Sequence, residues 1–475
     1  MENENQIRQP LVIFALTIII LYAISFIKTD YEIPVINFKL KNVDILSDIK
    51  DQQSTDQQPS NEMNNLLFGQ TKAVNKASLD FTNIISSAIS FFESEPGSGE
   101  NTSAFLPQGK KTPITGDTRQ LHFFFDALKN AKSKIVRIAH YGDSAIEGDL
   151  ITSDIREKLQ SKFGGNGVGW LGITSQDITF RMTTKHSFSQ GNWETAALYL
   201  SNQKGLPLGI SGEAFVPKGN AWVQYETTTM RRYLKDFSLV RLYYANAKSS
   251  TINYSFDNGA KQTATLKPGA ALQELILKPA TRAKSIKIEF PQSDQAYFYG
   301  VSLENEPGIY VDNFPLRGNT GVDLGSLQVG LLKEFAKYLD YKLIILEFGL
   351  NIAGSKNTDY SWYEKEMVKM IKNLKSAFPN TSFLMISIHD KSMKKGSGFV
   401  TDPTILRLLD TQKDIAKEAD VAIWNLFEAM GGENSMPNWV NANPPLAFKD
   451  YIHFNDQGAK KVADLLTDAL LDLNK

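Results

Sequence analysis

From Leu121 onward, apolar residues recur at two alternating spacings. LHFFFDALKNA repeats them every three or four positions, which predicts a helix, and KIVRIAHYG is a short β-branched run ending at a glycine turn, which predicts a strand. The alternation returns after residue 325. There GSLQVGLLKEFAKYL reads as helix, KLIILEFG as strand, SWYEKEMVKMIKNLKSAF as helix and SFLMISI as strand. PTILRLLDTQKDIAKEA, VAIWNLF and NDQGAKKVADLLTDALLDL continue as helix, strand and closing helix. Strands apolar on both faces belong in a parallel sheet covered by helices, so the expected fold class is α/β.

Between about 175 and 312 the alternation stops. Short runs such as AWVQYET, FSLVRLYYAN, STINYSFDNG, SIKIEF and YFYGVSLE read as antiparallel strands, and Asp257-Asn258-Gly259 is a strong turn signal. They are enough for a β-sandwich inserted into the α/β domain. Upstream, residues 10–27 (PLVIFALTIIILYAISFI) carry no charge and span about 27 Å as a helix, close to the hydrocarbon thickness of a bilayer. Ala23-Ile24-Ser25 has the small residues of a cleaved leader, but Glu2 and Glu4 against a single Arg8 favour an uncleaved transmembrane helix. Lys28, Lys39 and Lys41 do not favour export, although long domains translocate largely regardless of loop charge. The polar stretch that follows reads as a tether with one short helix around residues 78–92. The expected organisation is an anchor at 1–30, a tether at 31–118, the α/β domain at 119–175 and 313–475, and the inserted sandwich at 176–312.

Composition narrows the chemistry. The 51 Lys and Arg balance 52 Asp and Glu, so no global field holds nucleic acid. With no cysteine there are no disulfides, thiolate metal sites or thiol nucleophiles, and any covalent nucleophile is oxygen or nitrogen. The five histidines lack metal-ligand spacing, so neither a metal nor another cofactor is expected. FGGNGVGWLG, from Phe163 to Gly172, follows a helix instead of opening one after a strand, so it reads as a loop near a pocket mouth and not as a phosphate cradle.

Two local features could act together. KIVRIAH runs into Tyr141-Gly142-Asp143-Ser144 and then a predicted helix, AIEGDLITSDIREKLQSKF. A serine at that junction is either a helix cap or an exposed nucleophile whose N–H lies near the positive end of a helix dipole. Near the end of the chain, Asp450 and His453 sit three residues apart just before the last helix. The imidazole can take a serine proton while the carboxylate holds its other nitrogen, or the pair can simply stabilise the helix entry.

Taken together, the chain resembles the SGNH (GDSL-type) hydrolases. Gly142-Asp143-Ser144 is similar to their first block, Asp450-Tyr451-Ile452-His453 to their last, and Gly349-Leu350-Asn351 to their third, with Ile352 where an Asp usually stands. Their second block, a glycine, is best matched by Gly318, with Gly321 the poorer candidate. The resemblance implies a catalytic Ser144, His453 and Asp450, and an oxyanion hole formed by the N–H groups of Ser144 and Gly318 and the Asn351 amide. It also implies an SGNH-type parallel sheet flanked by helices, carrying the antiparallel insert and the membrane helix. The inserted β-module, similar to a carbohydrate-binding module, narrows the likeness to peptidoglycan O-acetylesterases. That implies an acetylated glycan as substrate and an inner-membrane protein with its catalytic domain in the periplasm. The same set of residues would equally serve an O-acetyltransferase fed by a membrane acyltransferase partner, or a non-catalytic glycan-binding scaffold. Trp222, Tyr225, Tyr243 and Tyr244 are candidates for stacking on sugars, although core packing is the commoner use of aromatics in a sandwich.

Overall fold

The structure is a computed structural model that describes residues 31–33, 38–40 and 109–474, apart from 201, 203, 293–295, 306 and 355–358. The chain divides into two compact units, residues 1–99 and 100–475. In the first, Tyr31–Ile33 pairs antiparallel with Phe38–Leu40. The span at 10–27 and the apolar patch at 78–92 lie outside the described residues. Among the described residues, no helix is long and apolar enough to cross a membrane.

The second unit is built on a six-stranded sheet. Its strands are β1 (Ile114–Gly116), β2 (Ile135–Gly142), β3 (Gly308–Pro315), β4 (Tyr341–Glu347), β5 (Ser382–Ile386) and β6 (Ala422–Trp424). Their order across the sheet is β3-β2-β4-β5-β6-β1, all parallel except β1, which runs antiparallel along the edge. β2 is buried on both faces after its first residue, as its unbroken apolar run requires.

Helices cover both faces. One layer holds α1 (His122–Leu128), α2 (Thr152–Phe163) and the last helix, and the other holds α3 (Val329–Leu339), α4 (Ser361–Ala377) and α5 (Thr404–Glu418). The short helices α6 (Leu426–Met430) and α7 (Ser435–Val440) lead to α8 (Asp456–Asp472). α8 shows how the pattern becomes structure. Ala459, Val462, Ala463, Leu466 and Leu470 form one buried stripe, and the Asn455 side chain caps the first turn by accepting from the Gly458 N–H at 3.1 Å.

The segment between α2 and β3 forms two antiparallel sheets that enclose their own core, which includes Phe215, Val223, Tyr225, Leu242, Ile286 and Phe298. The expected boundaries shift at both ends. β3 crosses the boundary placed at 312, because IYVDNFP pairs with β2 over its whole length. Within the glycine-rich stretch, Gly169–Leu171 is a strand that joins the sandwich at Leu303, Ser302 and Val301. Gly165 is needed there for close approach, since a Cβ would lie 2.6 Å from the Ile309 carbonyl oxygen.

The sandwich docks on the α3 side of the sheet through aromatic rings. Trp170 and Tyr299 meet Phe335 of α3 edge-on, with centroids 6.2 and 5.3 Å away. Contacts of this kind contribute about 0.5–1.5 kcal/mol each beyond their buried area. Leu272 N–H donates to the Glu334 carboxylate of α3 at 2.7 Å. Of the four aromatics proposed to stack on sugars, Tyr225, Tyr243 and Tyr244 are buried in packing, and Lys287 sits 4.7 Å over the Trp222 ring.

Candidate active site

Ser144 follows the carboxyl end of β2, where the sheet's edge leaves room for a ligand. The chain passes so close to β4 here that a Cβ on Gly142 would lie 3.0 Å from the Glu347 carbonyl oxygen and 2.9 Å from the Ile146 side chain. Asp143 Oδ1 accepts from the Ala145 N–H at 3.0 Å and fixes the turn. The predicted long helix does not begin at Ser144. Residues Ser144–Asp149 form a 3-10 turn that breaks at Glu147 and Gly148, and α2 starts only at Thr152. Asp149 and Ile151 both adopt positive φ in the connection. The dipole at Ser144 is therefore that of one short turn, not of a twelve-residue helix.

The last block closes on this serine. His453 Nε2 lies 3.0 Å from Ser144 Oγ, and His453 Nδ1 lies 2.7 Å from Asp450 Oδ2. An ionised carboxylate only accepts, so Nδ1 carries the proton, and Nε2 is free to accept from the serine hydroxyl. Asp450 Oδ1 accepts from the N–H groups of Ile452 and His453 at 2.9 and 3.0 Å. Burial pushes the Asp450 carboxyl up, but its hydrogen bonds from the His453 ring and from these two N–H groups outweigh that, and its pKa is lowered. Asp450 and His453 are about two-fifths exposed, so the pair is open to solvent.

The second and third blocks lie on the connections after β3 and β4. Gly318 has φ of +75° and Gly321 +95°. The Gly321 N–H is committed to the Asn319 side chain at 2.7 Å, whereas the Gly318 N–H has no backbone acceptor among the described residues. That distinction favours Gly318. Asn351 Nδ2 donates to the Asn319 carbonyl at 3.0 Å, which ties the third block to the second and leaves one amide hydrogen for a ligand. With Ile352 in the usual Asp position, no carboxylate stands beside Asn351 in sequence.

Several positioning groups had no clear sequence signal. The connection after β5 braces two blocks at once: His389 Nε2–H donates to the Ile452 carbonyl at 2.9 Å, Ser392 N–H to Tyr451 at 3.0 Å, and Lys391 Nζ to Ala353 at 3.0 Å. Burial lowers the His389 pKa to about 4, so the ring is neutral and can donate while its other nitrogen is unprotonated. His140 is no pocket residue. It is buried beneath the site, with Nδ1 2.9 Å from Thr152 Oγ1 and Nε2 3.0 Å from Glu347 Oε2. Among the described residues, no cluster of His, Asp and Glu could hold a metal ion.

Asp143 leads to a test by pH. Burial raises its pKa to about 7, with the help of the nearby Glu347 charge and against the N–H groups of Ala145, Leu350 and Gly349. Between the ordinary carboxylate value and about 7, the folded state binds the extra proton. Stability is therefore full below that window and falls as pH rises through it, by at most roughly 4 kcal/mol. Asp143→Asn keeps the Oδ1 acceptor and cannot ionise. In urea melts the variant should gain on the wild type between pH 5 and pH 8, and parallel pH profiles would refute this account.

No family model matches the chain, and no curated protein matches it. The sheet order, the flanking helix layers and the placement of the blocks define an SGNH/GDSL hydrolase-like architecture. The chain is similar to a solved structure of a peptidoglycan O-acetylesterase, at 20% identity and a TM-score of 0.62, covering 76% of this chain and 99% of that one. An acetyl xylan esterase (20% identity, TM-score 0.27, 34% of this chain and 81% of that one) and a GDSL-like lipase from Parabacteroides merdae (15%, 0.24, 34% and 72%) superpose too loosely to bear on the fold.

Proposed function

We propose that the protein is a serine esterase that removes O-acetyl groups from a cell-envelope polysaccharide, with peptidoglycan the favoured substrate. The observation that carries this reading is the continuous chain of hydrogen bonds from Ser144 through His453 to Asp450, spanning 309 positions of sequence. Ser144 Oγ attacks the acetyl carbonyl while its proton passes to His453 Nε2. Negative charge on the carbonyl oxygen is received by the N–H groups of Ser144 and Gly318 and by the Asn351 amide. Collapse expels the sugar oxygen, which takes the proton from His453. Water, activated by the same imidazole, then cleaves the acetyl-serine to acetate. The open dyad suits an ester displayed on a polymer. The apolar run at 10–27 would hold the enzyme at the inner membrane with this domain in the periplasm.

The test uses the full chain. A fluorophosphonate should lose fluoride to Ser144 Oγ and leave its phosphonyl group on the peptide containing that residue, and the untreated enzyme should release acetate from O-acetylated peptidoglycan fragments. A reactive serine elsewhere, or no acetate, would overturn the proposal.

A further inference from the structure

Beside the serine turn lies a cavity of about 120 Å³ between the α/β domain and the inserted sandwich. Glu147 and Gly148 of the turn, Arg317 just ahead of Gly318, Phe180, and Tyr199 and Glu213 of the sandwich all line it. A space of this size holds roughly ten water-sized groups, the scale of a single pyranose ring. Its position is fixed by the serine turn itself, because Gly148 packs against the Phe180 backbone so closely that a Cβ there would lie 2.6 Å from the Phe180 carbonyl oxygen.

The lining is mixed in a specific way. Phe180 is a large apolar side chain left 49% exposed, and the Arg317 guanidinium lies 5.8 Å from its ring centroid. Arg317 also meets Glu147 at 3.5 Å. Deeper in, the Tyr199 hydroxyl donates to Glu213 at 2.7 Å, and Trp170, which also lines the cavity, has an indole N–H with no acceptor among the described residues. Two guanidiniums, Arg181 and Arg317, and the carboxyl groups of Glu147, Asp177 and Glu213 line it together, so the cavity presents donors and acceptors side by side. An aromatic face surrounded by alternating donors and acceptors fits a neutral ring with hydroxyl and amide substituents.

We propose that this cavity is a glycan subsite that seats one pyranose residue of the substrate chain, with the ring against Phe180 and its polar substituents on Arg317, Glu147 and Glu213. The inference rests on the esterase reading and adds a substrate determinant to it: an acetyl ester is cleaved efficiently only when a sugar fills the neighbouring cavity.

The experiment compares Phe180→Ala with the wild type on p-nitrophenyl acetate, which is too small to reach both places, and on an O-acetylated muramoyl disaccharide. For the disaccharide, kcat/KM should fall at least tenfold, mainly through KM, with p-nitrophenyl acetate hydrolysis within twofold of the wild type. Arg317→Met should raise KM for the disaccharide in the same direction. Equal losses on both substrates, or no loss on either, would overturn the subsite. Binding separates it from the esterase reading. The Ser144→Ala protein, titrated calorimetrically with the de-acetylated disaccharide, should bind it and lose at least tenfold in affinity when Phe180→Ala is added. If the wild type releases no acetate from the disaccharide yet this binding pattern holds, the esterase reading fails and the subsite stands. If the Ser144→Ala protein does not bind the disaccharide, the subsite fails.

Discussion

Replacing Ser144 with alanine should lower kcat/KM for both p-nitrophenyl acetate and O-acetylated glycan by about 10⁴-fold or more, the scale expected when the nucleophile of a cooperating triad is removed. The hydroxyl makes one side-chain hydrogen bond, to His453 Nε2, and the ring is partly exposed, so water can replace it. Folding should therefore be almost unchanged, with a urea midpoint shift worth under about 1 kcal/mol. Because the Gly318 N–H and the Asn351 amide remain, glycan binding should persist, and the loss should fall on kcat. Activity within tenfold of the wild type would mean that the 3.0 Å contact is a structural hydrogen bond and that chemistry occurs elsewhere.

The parts of this site that were readable in the sequence are those whose role is set locally. Ser144 sits where a strand stops, and Asp450 and His453 share one turn, so residue type and spacing already state what they can do to each other. What joins them is non-local. Asn319, His389 and Lys391 act through hydrogen bonds with distant residues or their backbone carbonyls, and a carbonyl leaves no trace in residue identity. The start of α2 was misplaced for a related reason. Ile151 at φ of +58° is a conformation its β-branched side chain disfavours, so only the tertiary setting, including the buried pairing of Asp149 with Arg156 at 2.7 Å, accounts for the break.

The architecture divides in the same way. Helix and strand periodicity separated the α/β and all-β regions, but not the exact exchange between them. IYVDNFP follows YFYGVSLE after a short turn and has the same β-rich composition, yet the first completes the parallel sheet and the second the sandwich. Sheet membership depends on the partner strand, here β2, whose sequence lies about 170 positions earlier. The aromatics of the insert were ambiguous in composition and are resolved by burial. Tyr225, Tyr243 and Tyr244 serve the core, while Phe180, in a segment with no strand signal, is a half-exposed ring that lines the cavity.

Asp450→Asn isolates the orienting step from the rest of the machinery. The amide oxygen can still accept from the Ile452 and His453 N–H groups, so the turn before α8 should survive, with a thermal midpoint close to that of the wild type. The amide nitrogen, however, would replace the carboxylate oxygen now 2.7 Å from His453 Nδ1. It can only donate there, so Nδ1 must give up its hydrogen and Nε2 must carry it. A protonated Nε2 cannot accept from Ser144, and the positive imidazolium formed during acylation loses its counter-charge. The expected result is a fall in kcat/KM of about 10³–10⁴-fold, with KM for the glycan little changed. Nitrogen-15 spectra of the His453 ring should show the proton moving from Nδ1 to Nε2 in the variant. Activity within tenfold of the wild type, or an unchanged tautomer, would mean that Asp450 holds the loop and does not set the direction of the proton.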